Sequence, residues 1–137
     1  MRMSENATYH AITRGISVSV MPAYLESRSE PDDDYFLWAY TIRIENQSVE
    51  TVQLLTRHWV ITDSVGRAQE VKGSGVVGEQ PVLEPGEMFE YTSGAPLPTP
   101  SGIMQGSYQM ALNTGELFDV KIPAFSLDSP YEDRHLN

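Results

Sequence analysis

The feature that most constrains this chain is an alternation of apolar and more polar residues, with a period of two, over most of its length. Ile16, Val18 and Val20 alternate with Ser17 and Ser19. Phe36, Trp38, Tyr40, Ile42 and Ile44 alternate with Leu37, Ala39, Thr41, Arg43 and Glu45. Phe89 and Tyr91 continue the pattern, followed by Tyr108, Met110 and Leu112, then by Phe118, Val120 and Ile122. Successive side chains on a strand point to opposite faces, so each run buries one face and presents the other. Over residues 52–62 the parity blurs, with Leu55, Trp59 and Ile61 on one phase and Leu54 and Val60 on the other. Such blurring marks a strand covered on both faces, or one with a bulge.

Turn chemistry separates the runs: Asn-Gln-Ser at 46–48, Asp-Ser-Val-Gly at 63–66, Glu-Pro-Gly-Glu at 84–87 and Asn-Thr-Gly at 113–115. No helix-length window keeps an i, i+3, i+4, i+7 apolar spacing free of proline or glycine. About seven short strands divided by turns predict an all-β fold, an antiparallel sandwich of two sheets. The 137 residues suit one domain, with a structured core over about 8–127 and a polar, frayed tail over 128–137. Phe36, Trp38, Tyr40, Phe89, Tyr91, Tyr108, Met110, Phe118, Val120 and Ile122 are the expected core. Tyr108 follows a Gly-Ser turn, where sandwich domains place a corner tyrosine whose hydroxyl caps a backbone group.

Three stretches exceed a simple turn: residues 26–34, 73–80 and 93–106. The last, with Pro96, Pro98 and Pro100, reads as the longest irregular loop. Its Leu97 and Met104 either offer contact area to a partner or cap the open end of the core.

Composition excludes several functions. The absence of cysteine removes thiol nucleophiles, thiolate zinc sites and iron–sulfur clusters, and fits a reducing compartment. A net charge of −10, from 19 acidic and 9 basic residues, repels nucleic acid and anionic leaflets. The start carries no apolar signal region, and no apolar run approaches the ~20 residues needed to span a bilayer. A cytoplasmic protein, not embedded in a membrane, is therefore expected.

Gly73, Gly75 and Gly78 form a G-x-G-x-x-G pattern and are the candidate cofactor-binding residues. In a dinucleotide fold, such glycines let backbone approach a pyrophosphate at a helix N-terminus. Here Glu79, Gln80 and Pro81 follow, so no helix begins there. Two readings remain: a nest of N–H groups that holds an anion, or a bulged β-loop. Glu30, Asp32, Asp33 and Asp34 lack the spacing and turn glycine of a calcium loop, and read as a solvated acidic loop. His58 has no second histidine at strand or helix spacing, and His10 and His135 stand alone. No serine lies in G-x-S-x-G. No catalytic residue, metal ligand or required cofactor is therefore assigned.

The motifs from Arg57 onward resemble a known family. They are Arg-His-Trp-Val-Ile-Thr-Asp at 57–63, the glycine pattern running into Glu79-Gln80-Pro81, and Leu-Glu-Pro-Gly-Glu at 83–87. Tyr-Thr-Ser-Gly at 91–94, Pro-Leu-Pro-Thr-Pro-Ser-Gly at 96–102 and Gly-Ser-Tyr-Gln-Met at 106–110 complete the set. In this order they are similar to the ApaG family. The resemblance implies a fibronectin type III-like sandwich, a link to cobalt and magnesium resistance or efflux, and pyrophosphate binding at the glycine motif. The lack of a catalytic constellation, with the family's eukaryotic use as a substrate-recognition domain, favours a non-enzymatic module acting through a protein partner. The alternative is a binder, and behind that a hydrolase, of a phosphate- or pyrophosphate-containing small molecule at Gly73 to Gly78.

Overall fold

The computed structural model describes residues 8–131. In chain order its strands are β1 (Tyr9–Thr13), β2 (Ile16–Tyr24), β3 (Phe36–Asn46), β4 (Val52–Asp63), β5 (Ala68–Ser74), β6 (Val82–Leu83), β7 (Met88–Leu97), β8 (Gly102–Leu112) and β9 (Leu117–Leu127). Two 3-10 turns, Glu26–Arg28 and Pro31–Asp33, shape the loop between β2 and β3. One sheet has the order β1-β2-β3-β7 and the other β5-β4-β8-β9, with β6 paired to the start of β4. Every pairing is antiparallel. The chain is the two-sheet antiparallel β-sandwich that the period-two pattern predicts.

The core lies between the sheets and is built from the inward phase of each strand. Ile16, Val18, Val20, Trp38, Ile42, Ile44, Tyr108, Met110, Val120 and Ile122 are each at most 1% exposed. Burying a large apolar side chain contributes about 1.5–3 kcal/mol, so this layer dominates the stabilisation. Phe36, Tyr40 and Tyr91 are buried with them, whereas Phe89 and Phe118 are only half-buried and pack against the layer's rim. Arg14 lies over the Phe118 ring at 4.6 Å, a use of the exposed half that alternation does not reveal.

The expected irregular loop at 93–106 is instead mostly strand. β7 runs to Leu97 and β8 begins at Gly102, leaving only residues 98–101 as the link. Proline lacks an N–H and is tolerated where no ladder bond is required. Pro96 lies on β7, an edge strand paired only with β3, so its missing donor costs no pairing. Leu97 and Met104 are buried, which makes them core residues and not contact area.

Tyr108 is also corrected. Its hydroxyl caps no backbone group but lies 2.6 Å from that of Tyr91, joining β8 of one sheet to β7 of the other. The start of the expected tail is docked: the Trp38 indole donates to the Asp128 carbonyl at 2.8 Å, and Tyr131 packs on Tyr24 and Phe36. Residues 132–137, His135 among them, lie outside the described residues.

Candidate functional site

The ladder between β4 and β8 pairs Leu54 with Met110 and then Thr56 with Gln109, leaving Leu55 as an extra residue. This bulge explains the blurred parity. Leu54 before it and Trp59 after it, of opposite phase, both face the core. Arg57 shares the phase of Trp59 and stands opposite the buried Tyr108, so its side chain leaves the strand on the inner face. His58 takes the outer face and bonds the Glu70 carboxylate.

Three features hold the Arg57 guanidinium. Gly73 is its cross-strand neighbour on β5, and a Cβ there would fall 2.9 Å from Cζ and 2.8 Å from Nη1. The missing side chain is therefore what lets the guanidinium lie over β5. Nη1 donates to the carbonyls of Ser74 and Gly75, both at 3.0 Å. Among the described residues no carboxylate pairs with Arg57, although acidic residues outnumber basic ones 19 to 9. Nε and Nη2 likewise make no hydrogen bond among the described residues.

The chain then reverses through Val76-Val77-Gly78-Glu79. Val76 and Glu79 exchange both backbone hydrogen bonds, at 2.8 and 2.9 Å. Val77 has φ 42° and Gly78 φ 82°, the positive pair that a type I′ hairpin turn requires. Asparagine and glycine suit such a turn. A β-branched valine there is strained, and such strain clusters at working sites. The N–H groups of Val77 and Gly78 donate to nothing among the described residues.

A cleft of ≈ 220 Å³ opens between this turn and β7, with Arg57, Tyr40, Tyr91 and Ser93 among its lining and Trp59 at its base. Tyr40 and Ser93 are cross-strand partners on β3 and β7. Burial pushes the Tyr40 phenol up, against weaker opposing pulls from the Ser93 hydroxyl and Arg57. Burial likewise raises Tyr91 and Tyr108 well above the ordinary phenol value. The cleft thus offers a fixed cation and neutral hydroxyls beside a turn whose two central N–H groups are unbonded among the described residues, a donor-rich set suited to a compact oxyanion.

The glycine motif is divided by this geometry. Gly78 lines the cleft, Gly73 lies under the guanidinium, and Gly75 is buried between them, its N–H bonded to Leu55. No helix follows Gly78. Arg57, Tyr40, Tyr91 and Ser93 were not singled out as a site by sequence. The signals available were the broken parity at 52–62 and the place of Arg57, Tyr91 and Ser93 in the family motifs at 57–63 and 91–94. A second hollow, of ≈ 470 Å³, lies against the outer face of the β5-β4-β8-β9 sheet, with His58, Lys72, Ser107, Gln109 and Asp119 on its walls. The acidic residues 32–34 are exposed, and the described residues contain no group of three metal-ligating side chains. No helix among them is long and apolar enough to cross a membrane, which leaves strand-built spans unaddressed.

Comparison with known proteins gives one consistent result. The ApaG domain family profile matches residues 26–112. Protein ApaG of Paramagnetospirillum magneticum is 63% identical over 129 residues, covering 94% of this chain and 99% of its own. Protein ApaG of Rhodospirillum centenum is 64% identical over 123 residues, covering 90% and 95%. The crystal structure of the ApaA protein from Bordetella pertussis superposes with a TM-score of 0.82 at 49% identity, over 85% of this chain and 94% of that one. Sequence, fold and these relatives agree: the chain belongs to the ApaG family.

Proposed function

We propose that this chain is a non-catalytic binding module that takes a compact oxyanion, a terminal phosphate or pyrophosphate group, into the Arg57 cleft. The carrying observation is a guanidinium that is held by two backbone carbonyls, unpaired with any carboxylate among the described residues, and part of the lining of a cleft walled by hydroxyls. Holding Nη1 in place lowers the ordering cost of binding, while Nε and Nη2 remain for the ligand. A volume of ≈ 220 Å³ is below the ~300 Å³ at which drug-sized sites begin, so a head group enters and the rest of the ligand stays outside. A non-catalytic role is supported by the phenols: each is displaced upward, away from the range in which a general base or nucleophile acts at neutral pH.

On this reading, a cytoplasmic role in cobalt or magnesium handling is indirect. The protein takes the phosphate that carries the ion, and no resident metal is required. The test is titration of the 15N-labelled protein with inorganic pyrophosphate, with and without Mg²⁺. Shifts at Val77, Gly78 and Ser93 are expected, lost in Arg57→Gln and weakened in Arg57→Lys, which cannot offer the planar fork. No shift at about 1 mM pyrophosphate, or unchanged shifts in a folded Arg57→Gln, rejects the reading.

A further inference from the structure

The outer face of the β1-β2-β3-β7 sheet is mixed at one end, where the row Ile12, Ser17, Glu45 and Met88 sets two exposed apolar side chains beside polar ones, and apolar without interruption at the other. Next to that row Ser19, Arg43 and Glu90 stand together across β2, β3 and β7. The next row is Met21, Thr41 and Thr92, the two threonine hydroxyls lying 2.9 Å apart. Beyond them the alternation loses its polar half. Ala23, Ala39 and Gly94 form one row, and Leu37 and Pro96 the next. These residues occupy the outward phase, since Trp38, Tyr40, Ala95 and Leu97 take the core. Met21, in the threonine row at the border between the two ends, and Tyr35, just before β3, are 44% and 41% exposed. A solvated sheet face ordinarily carries polar side chains here, so an apolar one marks a contact surface.

Gly94 is a revealing member. A Cβ added to it would meet its nearest atom at 3.6 Å, an ordinary contact, and its φ is not in the left-handed region. Neither packing nor backbone conformation asks for glycine. What its absent side chain does is keep the face low between Leu37, Pro96 and Met21.

The chemistry of the rim selects the occupant. The loop closing this end of β2 and β3 carries Glu26, Glu30, Asp32, Asp33 and Asp34 against Arg28 alone, and Asp32 to Asp34 are exposed. A second copy carries the same net charge of −10, so it is disfavoured electrostatically, and an anionic membrane or nucleic acid is repelled in the same way. We infer that this face docks a protein segment presenting apolar side chains flanked by lysine or arginine. The surface is separate from the Arg57 cleft, which opens on the far side of β7, and the inference does not depend on the oxyanion reading.

The experiment uses the whole chain, 15N-labelled, at about 0.15 M salt to screen non-specific attraction. The probes are three synthetic amphipathic peptides: leucine with lysine, leucine with glutamate, and serine with lysine. The leucine–lysine peptide should shift Ala23, Leu37, Ala39 and Gly94. Gly94→Glu, which the space tolerates, should weaken it by roughly tenfold, as should Asp32→Lys/Asp33→Lys. Equal binding of the serine–lysine peptide would reduce the effect to counterion attraction and overturn the proposal. So would preference for the leucine–glutamate peptide, shifts mapping elsewhere, or unaltered binding in Gly94→Glu. Sedimentation showing a dimer that Gly94→Glu dissolves would assign the face to a second copy and overturn it too.

Discussion

The guanidinium of Arg57 lies directly over Gly73, its cross-strand neighbour, so closely that a Cβ on Gly73 would fall 2.9 Å from Cζ. The pair behaves as a unit, with the glycine as seat for the cation. Gly73→Ala should displace the guanidinium and break its bonds to the Ser74 and Gly75 carbonyls. The expected cost is about 1 kcal/mol of stability, with a larger proportional loss of pyrophosphate affinity. Denaturant unfolding and titration calorimetry on the same variant separate the two effects. Unaltered affinity would show that the seat is not needed for binding.

The turn that follows gives a graded series. Gly75 has φ 63°, and a Cβ on it would collide with the Glu79 carbonyl, whereas Gly78 has φ 82° with open space around it. Gly75→Ala should therefore cost about 2–3 kcal/mol and Gly78→Ala about 1 kcal/mol. Val77→Asn should raise stability by about 0.5–1 kcal/mol, because asparagine accepts the left-handed conformation that valine resists. Thermal melts of the three variants check the order. If Val77→Asn stabilises the fold but weakens pyrophosphate binding, the strained valine serves the cleft.

Leu97 and Met104 bring the link at residues 98–101 back onto the core, each at most 5% exposed. Each change to alanine should cost about 2–5 kcal/mol, the range for large-to-small core substitutions. Chemical denaturation measures this directly. A cost of only a few tenths of a kcal/mol would return these side chains to the role of surface contacts.

The Tyr91–Tyr108 hydroxyl pair predicts behaviour at high pH. Burial raises both phenols above the ordinary value of 10.0, so the folded state holds these protons more tightly than the unfolded chain. Their contribution to stability is full below pH 10.0 and is lost as the pH rises toward the folded-state values. Absorbance at the phenolate band should show the exposed tyrosines ionising first, and this pair only together with unfolding. Tyr91→Phe leaves the Tyr108 hydroxyl buried without its partner and should cost about 1–3 kcal/mol. The double change to phenylalanine should cost less than the sum of the single ones.

Strand identity was legible from sequence alone because a half-buried strand writes its burial into every second residue. Ile16 to Val20, Phe36 to Ile44 and Tyr108 to Leu112 fulfil that reading with scarcely an exception. The turn residues added the boundaries, and the family motifs from Arg57 onward agreed with the comparisons. Proline misled at residues 93–106, since its effect on a strand depends on whether a neighbour needs the missing N–H. That neighbour is assigned only when β7 takes its place at the sheet edge. The cleft was hidden for a related reason. By composition Arg57 is one of nine Lys and Arg residues in an acidic chain, and the motif it opens at 57–63 does not say where its side chain goes. Its inward aim comes from the extra residue at Leu55, its seat from a glycine sixteen positions later, and its hydroxyl neighbours from β3 and β7. Local periodicity records which way a side chain points within its own strand. Which residues from distant strands meet at one cleft is set by register and sheet order, through contacts that only the folded chain makes.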